Sequence, residues 1–433
     1  MMALRRRRLG GELALGRRTA RLAFNPPIDL NFASGVYFGV SGSPSQFLTT
    51  SNSGGLAVDN GGNWSSFAAN QPRITNLGLL VEESRQNLVF PSYPLTGGLW
   101  NPIQIASSVA APSPDGGNNA LIVTPNTTAN VRHVILGNGV TATAAVYTAS
   151  VFLKPNGYNF GYLGLASPTT TTITSIIVDL TSGTITATNN AGTPTGLAAS
   201  ATRYPNGWVR LQVSMTCVAT VGATVMACGP CNTGIPGTLN PNCLEPQFTA
   251  DGTSGVAIWQ AQLELGAFAT SPIPTTSAAV TRAADVVSKP LAFGSVWSLF
   301  AAAAPASPLS NAASQLLVEA DNGTTGQRAQ LYLASGTPHF AMNGGTTVDG
   351  AVAGSFAQNV VGKLAASYGP GAQAGSFNGG AVNNQTGAAL PTGLARLTFG
   401  GVPSGTFLNG TITRVGVWPT KALTPTQLQA ITT

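Results

Sequence analysis

The sequence predicts an all-β chain: two antiparallel β-sandwich domains behind an N-terminal arm. Three observations predict it. Only 8% of the 433 residues are charged, against ~25% in ordinary globular domains, so helix-forming Glu, Lys and Arg are too scarce for long amphipathic helices. The 52 Gly and 29 Pro recur as turn punctuation. Between them lie short β-branched and aromatic segments, many alternating with a period of two. A hydrophobic fraction of 43% excludes a disordered chain.

Residues 1–24 form the arm. Arg5, Arg6, Arg7, Arg8, Arg17, Arg18 and Arg21 stand against Glu12 alone, a net charge of +6. The rest of the chain carries 13 basic and 13 acidic residues and is neutral. A neutral body lacks the basic face that nucleic acid requires. The arm's charge suits an anchor docking on an acidic protein surface. Glu12 and the second arginine group interrupt any apolar core, so no signal peptide is expected. No run of about 18 apolar residues is available for a membrane span.

Residues 25–85 read as an entry segment with hairpins. Pro26-Pro27 open it, Ile28, Leu30 and Phe32 alternate, and SNSGGLAVDNGGNW (51–64) is rich in turns. Glu82, Glu83 and Arg85 form a dense charge cluster. Adjacent carboxylates on a strand face opposite ways, so they read as a surface salt-bridge group rather than a hydrolytic pair.

Residues 86–285 read as the first sandwich. Strands are expected at 120–125, 132–137, 147–154, 160–166, 174–180, 183–189, 208–217, 223–228 and 256–265. VDLTSGTIT (178–186) is a hairpin turning at Ser182-Gly183. In the last strand the period of two puts Val256, Ile258, Gln260 and Gln262 on one face and Ala257, Trp259, Ala261 and Leu263 on the other. Gly266, Pro272 and Pro274 then impose an extended connector. Residues 286–433 read as the second sandwich, with strands at 314–320, 328–335, 338–344, 363–370, 375–380, 395–401 and 410–419. Thr424 is an N-cap with Pro425 at the first helical position, predicting a short helix over 425–432.

The run IWQAQLELGAFATSPIPTTSAAVTRAADVV (258–287) closely resembles a segment of bacteriophage tail-fibre and other virion surface proteins, where it ends a jelly-roll domain of the carbohydrate-binding-module type. GLLVEESRQNLVFPS (78–92) looks like that family's lead-in, and PNGWVRLQVS (205–214) matches one of its central strands. FLNGTITRVGVWPTKALTPTQLQAIT (407–432) resembles the end of laminin-G/concanavalin-like domains. The resemblance implies a virion structural protein assembled in the host cytoplasm. It implies a tail fibre attaching to host-surface polysaccharide, bound through its arm to other virion proteins. The alternatives are a head fibre or capsid decoration protein, and a polysaccharide-degrading tailspike. Such fibres are homo-oligomers, commonly trimers, although no coiled coil or repeat here specifies one.

Cys217, Cys228, Cys231 and Cys243 lie close in sequence and admit three readings. CGPC gives one zinc-type pair, but the other two cysteines stand singly. As a redox motif it would need a helix N-terminus. As disulfides, a hairpin centred on Gly222-Ala223 would set Cys217 opposite Cys228, leaving Cys231 and Cys243 to clasp the intervening loop. No metal or other cofactor is expected.

No enzyme is expected either. The chain has two histidines, His133 and His339, and no G-x-S-x-G, H-E-x-x-H or phosphate-binding loop. Sugar recognition uses flat aromatics and amides. KPNGYNFGY (154–162) is the densest such stretch, making Asn156, Tyr158, Asn159 and Tyr162 candidate ligand contacts. Trp297, Tyr332 and Tyr368 are scattered alternatives.

Overall fold

The computed structural model describes residues 21–167, 172–218, 223–309, 314–402 and 405–433. It is built almost wholly of antiparallel strands, and the all-β expectation holds. In the first sandwich one sheet runs in the order Ile105–Ala111, Ala120–Pro125, Gly255–Leu265, Ala145–Asn156, Val209–Cys217, Ala198–Arg203. The facing sheet runs Thr184–Ala191, Ile173–Asp179, Phe160–Ala166, Ala223–Cys231, Val134–Thr141, Trp100–Ile103. Leu153, Val213, Ile176, Met226 and Ile258 meet in the core between them. The 178–186 hairpin forms as expected, with Gly183 at φ +78° and the Asp179 carboxylate accepting from Thr181 N at 2.8 Å.

Strand Gly255–Leu265 departs from simple alternation. Val256 and Ile258 face the core, but so do Ala261 and Leu263, while Ala257 and Trp259 face outward. The phase slips at Gln260, whose φ is +52°: Ser150 pairs with Gln262 and Phe152 with Trp259, leaving an extra residue in this strand. A bulge of this kind reverses the facing of every residue beyond it.

The second sandwich is discontinuous in sequence. One sheet contains Val36–Phe38, Ile28–Asn31, Gly410–Trp418, Trp297–Pro305, Gly362–Gly369, Ala372–Phe377 and Asn383–Thr386, with Gly78–Val81 also paired to Gly410–Trp418. The other contains Thr49–Ser51, Val286–Pro290, Arg396–Phe399, Gln315–Asp321, Gln327–Ala334, Thr337–Gly344 and Thr347–Ala351. Strands at 28–31, 36–38, 49–51 and 78–81 of the expected entry segment are therefore part of this sandwich, and the 86–285 domain is inserted into it. Leu30, Phe32, Leu79 and Val81 are fully buried in the same core as Leu317, Phe340, Phe399 and Val417. The Arg414 guanidinium donates to both oxygens of buried Asp29, at 2.8 and 2.7 Å, tying the two ends together. Segment 25–85 carries apolar positions that need a partner sheet, and the C-terminal half supplies it.

Trp297–Pro305 was not expected as a strand. Its WSLFAAAAP sequence has helix-forming alanines, yet it is a central strand paired on both sides. Ala301 and Ala303 face the core, whereas Ala302 lies with Phe300 and Trp418 under the C-terminal helix. That helix, Pro425–Thr432, is where the sequence places it, capped by Thr424 and Gln427.

Candidate functional site

The insert's two connections meet in a buried charge network. Arg85–Asn87 pairs with Val280–Arg282 as a two-stranded ribbon. Beside it Arg73, fully buried, binds Glu82 at 2.7 Å and also Asp285. Arg282 approaches the same two carboxylates at 3.4 and 3.6 Å. Glu82 further accepts from Ser271 N and Oγ at 2.7 and 2.6 Å, and Asn52 donates to Asp285 at 2.8 Å. Burial pushes the Glu82 carboxyl upward, but Arg282, Arg73 and the Ser271 bonds outweigh it and hold the pKa at about 2. The expectation of an exposed salt-bridge cluster is corrected for Glu82, which is 6% exposed and pairs with Arg73 and Arg282 from elsewhere in the chain. The expected pairing of Arg85 does form with Glu83, at 2.5 Å, and Arg85 also stacks on Phe268 at 4.6 Å and occupies the space a side chain at Gly266 would need. The arrangement neutralises two carboxylates with two guanidiniums; it is a structural joint.

An apolar seal adjoins it. Hairpin Gly55–Val58 and Trp64–Phe67 covers the outer face of the insert's front sheet. Trp64 packs edge-on against Phe152 at 5.2 Å and Trp259 at 6.1 Å, with Tyr204 at 5.3 Å. Trp208 is buried in this cluster as well.

The candidate ligand stretch does not form one surface. Asn156 and Asn159 are exposed at a turn. Tyr158 is half-buried against Phe248, its hydroxyl accepting from Asp251 N at 3.1 Å. Tyr162 is fully buried under the small sheet Val131–Arg132, Glu245–Phe248, Leu239–Asn240, and its hydroxyl donates to the Cys243 carbonyl. Tyr162 therefore cannot touch a ligand, because its parity on strand Phe160–Ala166 points it beneath that cover. Trp297 and Tyr368 stack on each other in the second core, 5.6 Å apart. Of the arm, Arg21 bonds Pro26 O at 2.9 Å and lies over Phe38 of its own chain. Arg5, Arg6, Arg7, Arg8, Arg17 and Arg18 lie outside the described residues.

The four cysteines are free thiols, all buried. The proposed Cys217–Cys228 hairpin does not form, since Val209–Cys217 and Ala223–Cys231 belong to opposite sheets. Cys217 and Cys228 lie in the central core; Cys231 and Cys243 lie in the cluster outside the back sheet. The CGPC pair thus faces two ways, which a chelate or a redox dithiol cannot do. Burial pushes the Cys217 and Cys231 thiols up to about 11 and Cys228 to about 12. Among the described residues no group of three or more His, Cys, Asp or Glu is placed to hold a metal ion. Among them, too, no helix is long and apolar enough to cross a membrane.

Sequence reading missed the most site-like feature, on the outer face of the second sandwich. Glu319 and Asp321 share a strand face and meet Arg328 on one neighbouring strand and Arg396 and Thr398 on the other. They line a pocket of about 270 Å³ with Thr324 and Thr325. Asp321 is fully engaged: its Oδ1 accepts from Arg396 Nε at 2.9 Å and Gly323 N at 2.7 Å, its Oδ2 from Thr398 at 2.7 Å. Glu319, 3% exposed, has only a long bond from Arg328, at 3.4 Å. Burial, reinforced by Asp321 and only partly offset by Arg328 and Arg396, raises its pKa to about 7. Further along the face the rings of Tyr332 and His339 lie 5.1 Å apart, and His339 Nδ1 meets Asp349 at 2.9 Å. His133, by contrast, is sealed in the first sandwich between the Gln104 and Phe248 carbonyls, at 2.9 and 3.1 Å. The signal in the sequence was the alternation Glu319-Ala-Asp321 following the apolar run Leu316–Val318.

No family model and no curated protein matches the chain. Similar solved structures include the CBM40 of a Ruminococcus gnavus IT-sialidase bound to α2,3-sialyllactose, 21% identical, covering 33% of this chain and 83% of that one, TM-score 0.27. Domain 4 of AbnA, a GH43 extracellular arabinanase from Geobacillus stearothermophilus, in complex with arabinotriose, is 16% identical over 35% of this chain and 73% of that one, TM-score 0.30. Domains LG4-5 of the mouse laminin α1 chain are 10% identical over 69% of this chain and 88% of that one, TM-score 0.23. At such low identity and overlap these likenesses add nothing finer than the sandwich architecture already described.

Proposed function

We propose that this chain is a non-enzymatic virion surface protein of a bacteriophage, a tail fibre that attaches to host-surface polysaccharide. The observation that carries the reading is the resemblance of 78–92 and 258–287 to virion surface proteins. Its physical support is that the two runs, far apart in sequence, pack on one another. They supply Glu82, Arg85, Ser271, Arg282 and Asp285, the joint that fixes one sandwich on the other. A displayed protein gains from a stiff joint, because a tethered site loses less entropy on each further contact. The weakly charged body and the polar outer face suit hydroxyl-rich ligands. A degrading tailspike is less well supported: Glu319 could hold a proton, but both oxygens of Asp321 are occupied, leaving no free second carboxylate beside it.

The test is adsorption of the purified full chain to host surface polysaccharide, with labelling of intact particles by an antibody to the second sandwich. Retention, with label at the tail, supports attachment. Label on the head points to a decoration protein, and release of reducing ends to a spike. Absence of retention on every host polysaccharide removes the attachment reading.

A further inference from the structure

We infer that the pocket between Glu319, Arg328 and Arg396 takes a sugar residue bearing one oxyanion, carboxylate or sulfate, and so gives the second sandwich its ligand class. The inference rests on the attachment reading above and assigns it a site.

Four observations carry it. The pocket is about 270 Å³, just under the ~300 Å³ at which sites for drug-sized ligands begin, which suits one sugar ring rather than a chain segment. Two guanidiniums reach its mouth with side chains 27% and 41% exposed, so Arg328 and Arg396 meet both solvent and the interior. Guanidinium forks bind planar oxyanions through paired charge-assisted bonds. The two carboxylates are unequal. Asp321 is consumed by Arg396, Thr398 and the Gly323 amide, and so serves to hold Arg396 in place. Glu319 is the poorly bonded one, reached by Arg328 alone at 3.4 Å. Thr324 and Thr325 line the same pocket, and a threonine hydroxyl can serve a ring hydroxyl as donor or acceptor.

The charge balance then depends on Glu319. The charged groups facing it are Arg328 on one adjacent strand, Asp321 on its own, and Arg396 on the other. With Glu319 protonated, two guanidiniums face one carboxylate and the pocket carries a net positive charge. With Glu319 ionised the pocket is neutral and Arg328 turns its charge inward. An anionic sugar therefore binds the protonated form. Since that carboxyl has a pKa of about 7, the competent fraction falls about 10-fold between pH 6 and pH 8, and the apparent affinity falls with it.

The experiment titrates the full chain with glucuronate, glucose 6-sulfate and neutral glucose at pH 6 and pH 8, read by saturation-transfer NMR. At pH 6 at least one charged probe binds at least 10-fold more tightly than glucose, and weakens by up to about 10-fold at pH 8. The two charged arms separate carboxylate from sulfate. Glu319→Gln, neutral at both pH values, binds equally at both. Arg328→Gln loses the preference for charge while its thermal midpoint shows it folded. Equal binding of glucose and both charged probes, or a charged-probe affinity in Glu319→Gln that still falls with pH, overturns the inference. Retention of host polysaccharide alongside either result leaves attachment standing without this pocket.

Discussion

Two glutamates, both almost fully buried, sit in regions that treat them oppositely. At the joint, Glu82 is flanked by Arg73 and Arg282 and receives two bonds from Ser271, and its carboxyl is held at about 2. On the outer face of the second sandwich, Glu319 meets one distant guanidinium and a neighbouring carboxylate, and its carboxyl rises to about 7. Burial penalises both charges; the number of donors decides which one keeps its charge. The joint is saturated and serves to hold. The pocket is left short of donors and can respond to what enters it.

The largest effect is expected where the joint is broken. Arg73→Met leaves buried Glu82 and Asp285 with Arg282 as their one remaining guanidinium, whose ion pairs are the longer ones, at 3.4 and 3.6 Å. Removing one partner of a buried pair costs about 3–5 kcal/mol, to be read from denaturant unfolding at pH 7. A loss under about 1 kcal/mol would mean the network is not what joins the two bodies. The sign with pH also follows. Because Glu82 is depressed from its ordinary 4.5 to about 2, its contribution is fully present above about 4.5 and disappears as pH falls through 2.

Trp64→Ala tests the seal beside the joint. It deletes an aromatic in contact with Phe152, Tyr204 and Trp259, for about 3 kcal/mol. The denaturation curve should show this loss together with increased fluorescence quenching of Trp259.

Glu319→Gln probes the opposite region, with the opposite sign. A carboxyl raised from 4.5 to about 7 contributes stability below 4.5 that is lost as pH rises through 7. Relative to wild type, the glutamine variant should gain about 3 kcal/mol at pH 8 and nothing of that kind at pH 4. Equal differences at the two pH values would break the comparison.

The smallest effect is kinetic, in the cysteines, where burial acts with almost no compensating charge. With Cys217, Cys228 and Cys231 raised to about 11–12, thiolate is scarce and a thiol reagent should react slowly with the native chain. All four should react once it is unfolded. Rapid native labelling, or fewer than four thiols after denaturation, would contradict buried free thiols.

Much of the architecture was legible from sequence because strand period and turn residues act locally. Ala120–Pro125 and Phe160–Ala166 match their expected bounds, as does the helix Pro425–Thr432. What was not legible depends on distant contacts. The Gln260 bulge reverses half a strand because Phe152 and Ser150 on the neighbour fix its register. The Ala301–Ala304 run is a strand because strands pair with it on both sides, overriding its helical propensity. The 25–85 segment belongs to the second sandwich because Leu30, Phe32 and Leu79 find their core more than 200 residues away. The site was hidden for the same reason. Tyr162 looked like a sugar contact until its cover was in place. Glu319 became distinctive only when its neighbours were seen to be Asp321, Arg328 and Arg396.

The contrast between joint and pocket can be measured in one experiment. The chain contains six glutamates, so selective carbon-13 labelling of their carboxyls gives a spectrum simple enough to follow through a pH titration, with Glu319→Gln and Glu82→Gln assigning two of the signals. One carboxyl should titrate near pH 7 and vanish in Glu319→Gln, while the one missing from Glu82→Gln should stay ionised down to about pH 3. Midpoints for both near the ordinary 4.5 would contradict the account.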